Sequence, residues 1–72
     1  MMNHKKLKGL LTEIEKTYKE CADAIGISET QFCKKINGEV EFWINEVAIL
    51  AKFLELTASE FFAVFFPFLL QE

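Results

Sequence analysis

The sequence predicts a single all-α domain, and three observations predict it. Boxes of the form Ser/Thr-x-x-Glu/Gln stand at Thr17–Glu20, Ser28–Gln31 and Thr57–Glu60. In each, the hydroxyl accepts from a backbone N–H of the first turn while the Glu or Gln accepts from the cap's own N–H, which marks a helix start. Apolar residues recur at helical spacing, as in Leu7, Leu10, Leu11 and Ile14 at i, i+3, i+4 and i+7. The 72 residues make one domain, read as a compact five-helix fold without strands or an internal repeat. So short a chain buries a modest core, and tight helix packing or dimerisation would make up the deficit.

Helix one is expected from Asn3 or His4 to Glu15, with its lysines in the first turn, where the helix dipole disfavours them. Helix two spans about Tyr18 to Ala24, with Cys21, Ala22 and Ile25 turned inward. Gly26 then supplies the left-handed residue at which the chain turns. Helix three runs from Glu29 to Ile36, anchored by Phe32 and Ile36 with Cys33 beside them, and Asn37-Gly38 ends it. Residues 39–43 form a connection in which Trp43 is expected to join the core. Helix four covers Ile44 to Leu54, with Ile44, Val47, Ala48, Ala51 and Leu54 as core stripe. It is apolar on most sides, which suits a central helix. Helix five follows the Thr57 box and stops at Pro67, with Phe62 and Phe65 or Phe66 packed inward.

Two short helices joined through a glycine, with the small Ala22 where they cross, are the sequence form of a helix-turn-helix. The second helix of that motif lies in the DNA major groove, and its N-terminal outward side chains meet base edges. Thr30 and Gln31 are the candidates for direct readout, since Thr suits a thymine methyl and Gln an adenine. Glu29 either accepts from cytosine or repels phosphate. Lys34, Lys35 and Lys19 are candidates for phosphates, and the helix-two terminus at Thr17 can hold a phosphate through backbone N–H groups. Each role has a plainer alternative: Gln31 is equally suited to closing its own capping box, and Lys34 and Lys35 to lining a solvated face.

Residues 5–66 resemble the Cro/C1-type, XRE-like helix-turn-helix regulators, whose fold is lambda-repressor-like. Thr17, Glu20, Ala22, Ile25-Gly26-Ile27-Ser28, Phe32 and Asn37-Gly38 carry the match. Glu46-Val47, Leu54-x-Leu56-Thr57 and Glu60-x-Phe62 extend it, and small phage-encoded regulators are the nearest kind. The resemblance implies operator binding with a DNA-contacting set of Thr17, Tyr18, Lys19, Ser28, Glu29, Thr30, Gln31, Lys34, Lys35 and Asn37. Three departures stand out. Tyr18 replaces the usual Gln, so a hydroxyl can contact phosphate but cannot make the amide pairing that buttresses the next helix. Lys35 stands where the family has an apolar residue, which implies a helix three that is rotated or slightly shorter, anchored by Ile36. Arginine is absent, so the bidentate Arg–guanine contact is not available.

The net charge of −3 is unevenly spread. Residues 1–38 hold seven lysines against five acids, and residues 39–72 one lysine against six acids. The basic half carries the helix-turn-helix. Half of the chain is hydrophobic (51%), yet no apolar run is long enough to span a bilayer and the N-terminus is no signal peptide, so a cytoplasmic protein without membrane contact is expected. Cys21 and Cys33 lack metal-ligand spacing and His4 is the one histidine, so reduced core cysteines and no metal or cofactor are expected. No catalytic constellation is visible, and an enzyme is not expected.

The tail FFAVFFPFLL holds five of the eight phenylalanines. A short helix buries one side in its own domain, so Phe61, Phe65, Phe68, Leu69 and Leu70 are candidates for a homodimer or partner interface. The alternative is a tail that folds back and completes a monomer core. Together these readings predict a small transcriptional regulator that binds double-stranded DNA as a homodimer. The rival is an interaction module on the same fold, an antirepressor that binds another regulatory protein. The acidic total, the missing arginine and the surplus phenylalanine favour the rival.

Overall fold

The structure, a computed structural model, describes residues 2–70, with Leu70 described by its backbone alone. Among the described residues the chain forms five α-helices and no strand. They are α1 (His4–Glu13), α2 (Tyr18–Ile25), α3 (Glu29–Ile36), α4 (Ile44–Phe53) and α5 (Ala58–Phe65), followed by a 3-10 turn at Pro67–Leu70. None of these helices is long and apolar enough to cross a membrane. All three capping boxes form, with hydroxyl-to-amide distances of 3.0 Å at Thr17, 3.1 Å at Ser28 and 3.1 Å at Thr57.

The helix ends explain where the expected boundaries shift. Gly26 (φ 78°) and Gly38 (φ 82°) close α2 and α3 in the left-handed region. After each, the next amide bonds back across the turn: Ile27 N–H to the Ala22 carbonyl (3.0 Å) and Glu39 N–H to that of Lys34 (2.9 Å). Helices α1 and α4 end in the same way, but on glutamates, Glu15 (φ 56°) and Glu55 (φ 54°). The Lys16 and Leu56 amides close those turns onto Leu11 and Ala51, at 3.0 and 3.1 Å. Glutamate carries no sequence signal for this role, which glycine usually fills. Helix α1 therefore stops at Glu13, short of the expected Glu15.

The core is built from Leu7, Leu10 and Leu11 of α1, Cys21 and Ala22 of α2, Phe32 and Ile36 of α3, Val47 and Leu50 of α4, Leu54, and Val64 and Phe65 of α5. Burying each large side chain contributes roughly 1.5–3 kcal/mol. Helix α2 packs on α3 and α4, while α1 packs on α3 and α5. The Asn3 amide donates to the Val64 carbonyl at 2.6 Å and ties the N-terminus to α5.

Several expected core positions are corrected. Trp43 is 70% exposed and Ile44 75% exposed. Ala48 and Ile49 also face solvent, so the buried stripe of α4 is Val47, Leu50 and Leu54, joined by Glu46. In α5, Phe62 is exposed and Phe61 packs against the core in its place. Phe65, expected on an open interface face, lies instead in the chain's own core at 5% exposure. The inner face is Phe61, Val64 and Phe65, an i, i+3, i+4 set that follows from the start at Thr57.

Candidate nucleic-acid interface

Helices α2 and α3 meet as the capping boxes and Gly26 dictate. Phe32 and Ile36 are fully buried, and so are Cys21 and Ala22 opposite them. The Phe32 ring lies 5.5 Å from Tyr18 and 5.8 Å from Phe42, centroid to centroid. Tilted and edge-on aromatic pairs of this kind add about 0.5–1.5 kcal/mol beyond area burial. Tyr18 thus braces α3 by ring packing, at a position where an amide side chain would do so by hydrogen bonding.

With Phe32, Lys35 and Ile36 turned inward, the outer face of α3 carries Thr30, Gln31 and Lys34, continued by Asn37. These are spaced i, i+1, i+4 and i+7 and are all exposed. Ser28 and Glu29 sit exposed at the head of the helix. Gln31 Oε1 accepts from the Ser28 N–H at 3.2 Å, so the amide oxygen is engaged in the cap. Its Nε2 group remains for a ligand, which suits a single donated bond to a base acceptor better than a bidentate adenine contact.

Lys35 is not a surface residue, and its expected phosphate contact is withdrawn. It is 6% exposed, and its ammonium donates to Glu46 Oε1, itself on a residue only 8% exposed. The same oxygen accepts from the Trp43 N–H at 2.8 Å, where α4 begins. One carboxylate therefore neutralises a buried cation of α3 and caps α4. Both Lys35 and Ile36 face inward, and α3 runs over its full expected span, Glu29–Ile36. The periodicity does hold a signal, since residues 32, 35 and 36 are an i, i+3, i+4 set, as does a Glu three residues into α4. Lysine at such a position is usually read as exposed.

At the head of α2, Thr17 and Glu20 satisfy each other's amides. The N–H groups of Tyr18 and Lys19 have no partner among the described residues. The Thr17 N–H and hydroxyl hold the Glu20 carboxyl below the usual carboxylate range. Its negative charge shares the terminus with any incoming anion. Lys19 is exposed and lies 3.8 Å from Asp23, one turn on in the same helix. Such exposed pairs are worth about 0–1 kcal/mol and are readily exchanged for a phosphate. The surface cations on the motif are thus Lys19 and Lys34.

Burial, and secondarily the Glu20 charge, push the Cys21 thiol up to about 11. Cys33 is half-buried and also free. Comparison with family models, with curated proteins and with solved structures finds no match to this chain.

Proposed function

We propose that this chain is a small DNA-binding regulator of the lambda-repressor-like, Cro/C1 kind, that α3 enters the major groove, and that the protein acts in the cytoplasm without catalysis. The observation that carries the reading is the outer face of α3. Thr30, Gln31, Lys34 and Asn37 form one exposed polar stripe on a helix whose opposite face is locked by Phe32, Lys35 and Ile36. Thr30 and the Gln31 amide nitrogen would meet base edges, and Lys34 would meet a phosphate farther along. Lys19 and the open Tyr18 and Lys19 amides would hold a second phosphate at the head of α2. As a homodimer the chain would block an operator sterically.

The test is binding of the purified protein to duplex fragments between 50 and 200 mM salt. With Lys19 and Lys34 from each of two protomers on phosphates, log K should fall against log salt with a slope of about −3 to −4. Lys34→Glu should weaken binding to all sequences and flatten the slope, while Gln31→Ala should relax selectivity between sequences. Equal binding by wild type and both variants would sink the reading.

The rival reading, a protein-binding module, is favoured by Trp43, Ile44, Phe68 and Leu69, all more than half exposed. It is distinguished by the absence of salt-sensitive DNA binding.

A further inference from the structure

A cavity of about 370 Å³ opens beside the α3–α4 connection. It is lined by Val40, Phe42 and Ile44 from the connection and the start of α4, by Phe65 and Phe66 from the end of α5, and by His4 from the start of α1. A Cβ at residue 38 would lie 3.4 Å from the His4 ring, so Gly38 lets α1 close onto the connection. The volume is that of a small-ligand site, about 300–1,000 Å³, and is ample for one indole.

Trp43 lies in sequence between the lining residues Phe42 and Ile44, yet forms no part of the cavity wall itself. The largest exposed apolar side chain among the described residues therefore lies outside the cavity that its two neighbours line. Ile44, also open to solvent, joins the two. A self-complementary surface of this kind, with knob and hole side by side, closes when two copies meet about a two-fold axis.

We propose that a second copy of this chain docks here, each protomer inserting Trp43 into the other's cavity. The charges near the cavity support this occupant. Glu39 and the lining residue Glu41 are exposed on the connection, and Lys5 and Lys6, which follow the lining residue His4, are exposed at the start of α1. Under a two-fold axis the acidic side of one copy can face the basic side of its partner. A nucleic acid is disfavoured by the glutamates, and a uniformly basic peptide by the lysines. The interface is thus centred on the α3–α4 connection. The tail residues Phe68 and Leu69 lie at most at its edge. It rests on the dimer invoked for operator binding and names where that dimer forms.

Trp43 is the single tryptophan, so its fluorescence reports the interface directly. Sedimentation and emission spectra are recorded across a protein concentration series from about 1 to 200 μM, with Trp43→Ser, Ile44→Lys and Ile49→Lys beside the wild type. The expected result is a wild-type dimer in the micromolar range, with emission moving to the blue as dimer forms. Trp43→Ser and Ile44→Lys weaken association at least tenfold with unchanged helical circular dichroism. Ile49→Lys, also on an exposed face of α4 but outside the cavity wall, associates as the wild type does. A monomeric wild type overturns the proposal, as does a Trp43→Ser dimer of wild-type strength or an emission that ignores association. DNA binding is read separately on a duplex with a single half-site, where Trp43→Ser should keep the wild-type salt slope. A Trp43-dependent dimer that ignores DNA supports this interface and sinks the DNA reading. DNA binding by a chain whose association does not need Trp43 sinks the interface alone.

Discussion

Replacing Lys35 by Met removes the ammonium that neutralises Glu46 and leaves a carboxylate on a residue 8% exposed, held by the Trp43 N–H alone. Removing one partner of a buried ion pair costs about 3–5 kcal/mol, because the survivor is an uncompensated charge in a poorly solvated site. At about 0.05–0.15 kcal/mol per residue, the whole domain of 72 residues is stable by only about 4–11 kcal/mol. Lys35→Met should therefore take about a quarter or more of the total. Glu46→Gln should cost a similar amount, since the amide oxygen keeps the Trp43 bond but leaves the buried ammonium without a counter-charge. The double change Lys35→Met with Glu46→Gln removes both charges, keeps volume and keeps the cap, and should return to within about 1–2 kcal/mol of wild type. Urea unfolding followed by circular dichroism reads this out. With a slope near 1 kcal/mol per molar urea for so small a chain, each single change should lower the midpoint by about 3 M or unfold the protein outright. Additive losses below about 1 kcal/mol each would refute the reasoning, showing a pair that is solvated and does not tie α3 to α4.

Other expectations follow from the same geometry. Cys21, fully buried with its thiol pushed up to about 11, should resist thiol reagents at pH 8 until the protein unfolds, whereas the half-buried Cys33 should label first. Because folding raises the Cys21 value, its contribution is intact below the unfolded thiol value and drains as pH rises towards 11, which alkaline unfolding midpoints of wild type and Cys21→Ala would show. The Glu20 carboxyl is lowered by its Thr17 bonds, so the sign is opposite: that cap is intact above the ordinary carboxylate range and lost as pH falls through the folded value. Thr17→Ala should cost about 1 kcal/mol at pH 7 and less in acid, measured by urea titration at each pH. Glu55→Gly should stabilise by about 1 kcal/mol in thermal unfolding, because a left-handed backbone at φ 54° strains glutamate and not glycine.

The sequence is most legible where local rules act alone. The starts of α2, α3 and α5 are read from capping boxes that need no tertiary context, and the Gly26 turn from a residue type that tolerates positive φ. Legibility fails where an outcome depends on what lies opposite. Seven of the ten residues of α4 are apolar, so periodicity does not choose which stripe faces inward, and the expected core positions Ile44 and Ala48 do not join the core. Lys35 is buried because Glu46, eleven residues on, is there to meet it, and no local rule couples the two. Trp43 looks like a core residue by type; its exposure follows from a short connection that places Phe42, not its neighbour, against Phe32 and Phe65. In the tail, Phe61 and Phe62 are indistinguishable by hydrophobicity, and the helical phase set at Thr57 separates them. Of the candidate DNA-contacting residues, Thr30, Gln31, Lys34 and Asn37 share one exposed face and Lys35 leaves the set. Leu70, expected at an interface, lies outside the described side chains.

The measurement that tests the central claim most directly is selection of duplexes from a random pool by the purified wild-type protein at low salt. The account predicts enrichment of a discrete half-site, repeated as an inverted pair about one helical turn apart, with Gln31→Ala and Thr30→Ala each broadening preference at separate base positions. A pool that stays random after selection, or a preference untouched by both substitutions, would contradict the assignment of α3 as a reader of DNA sequence.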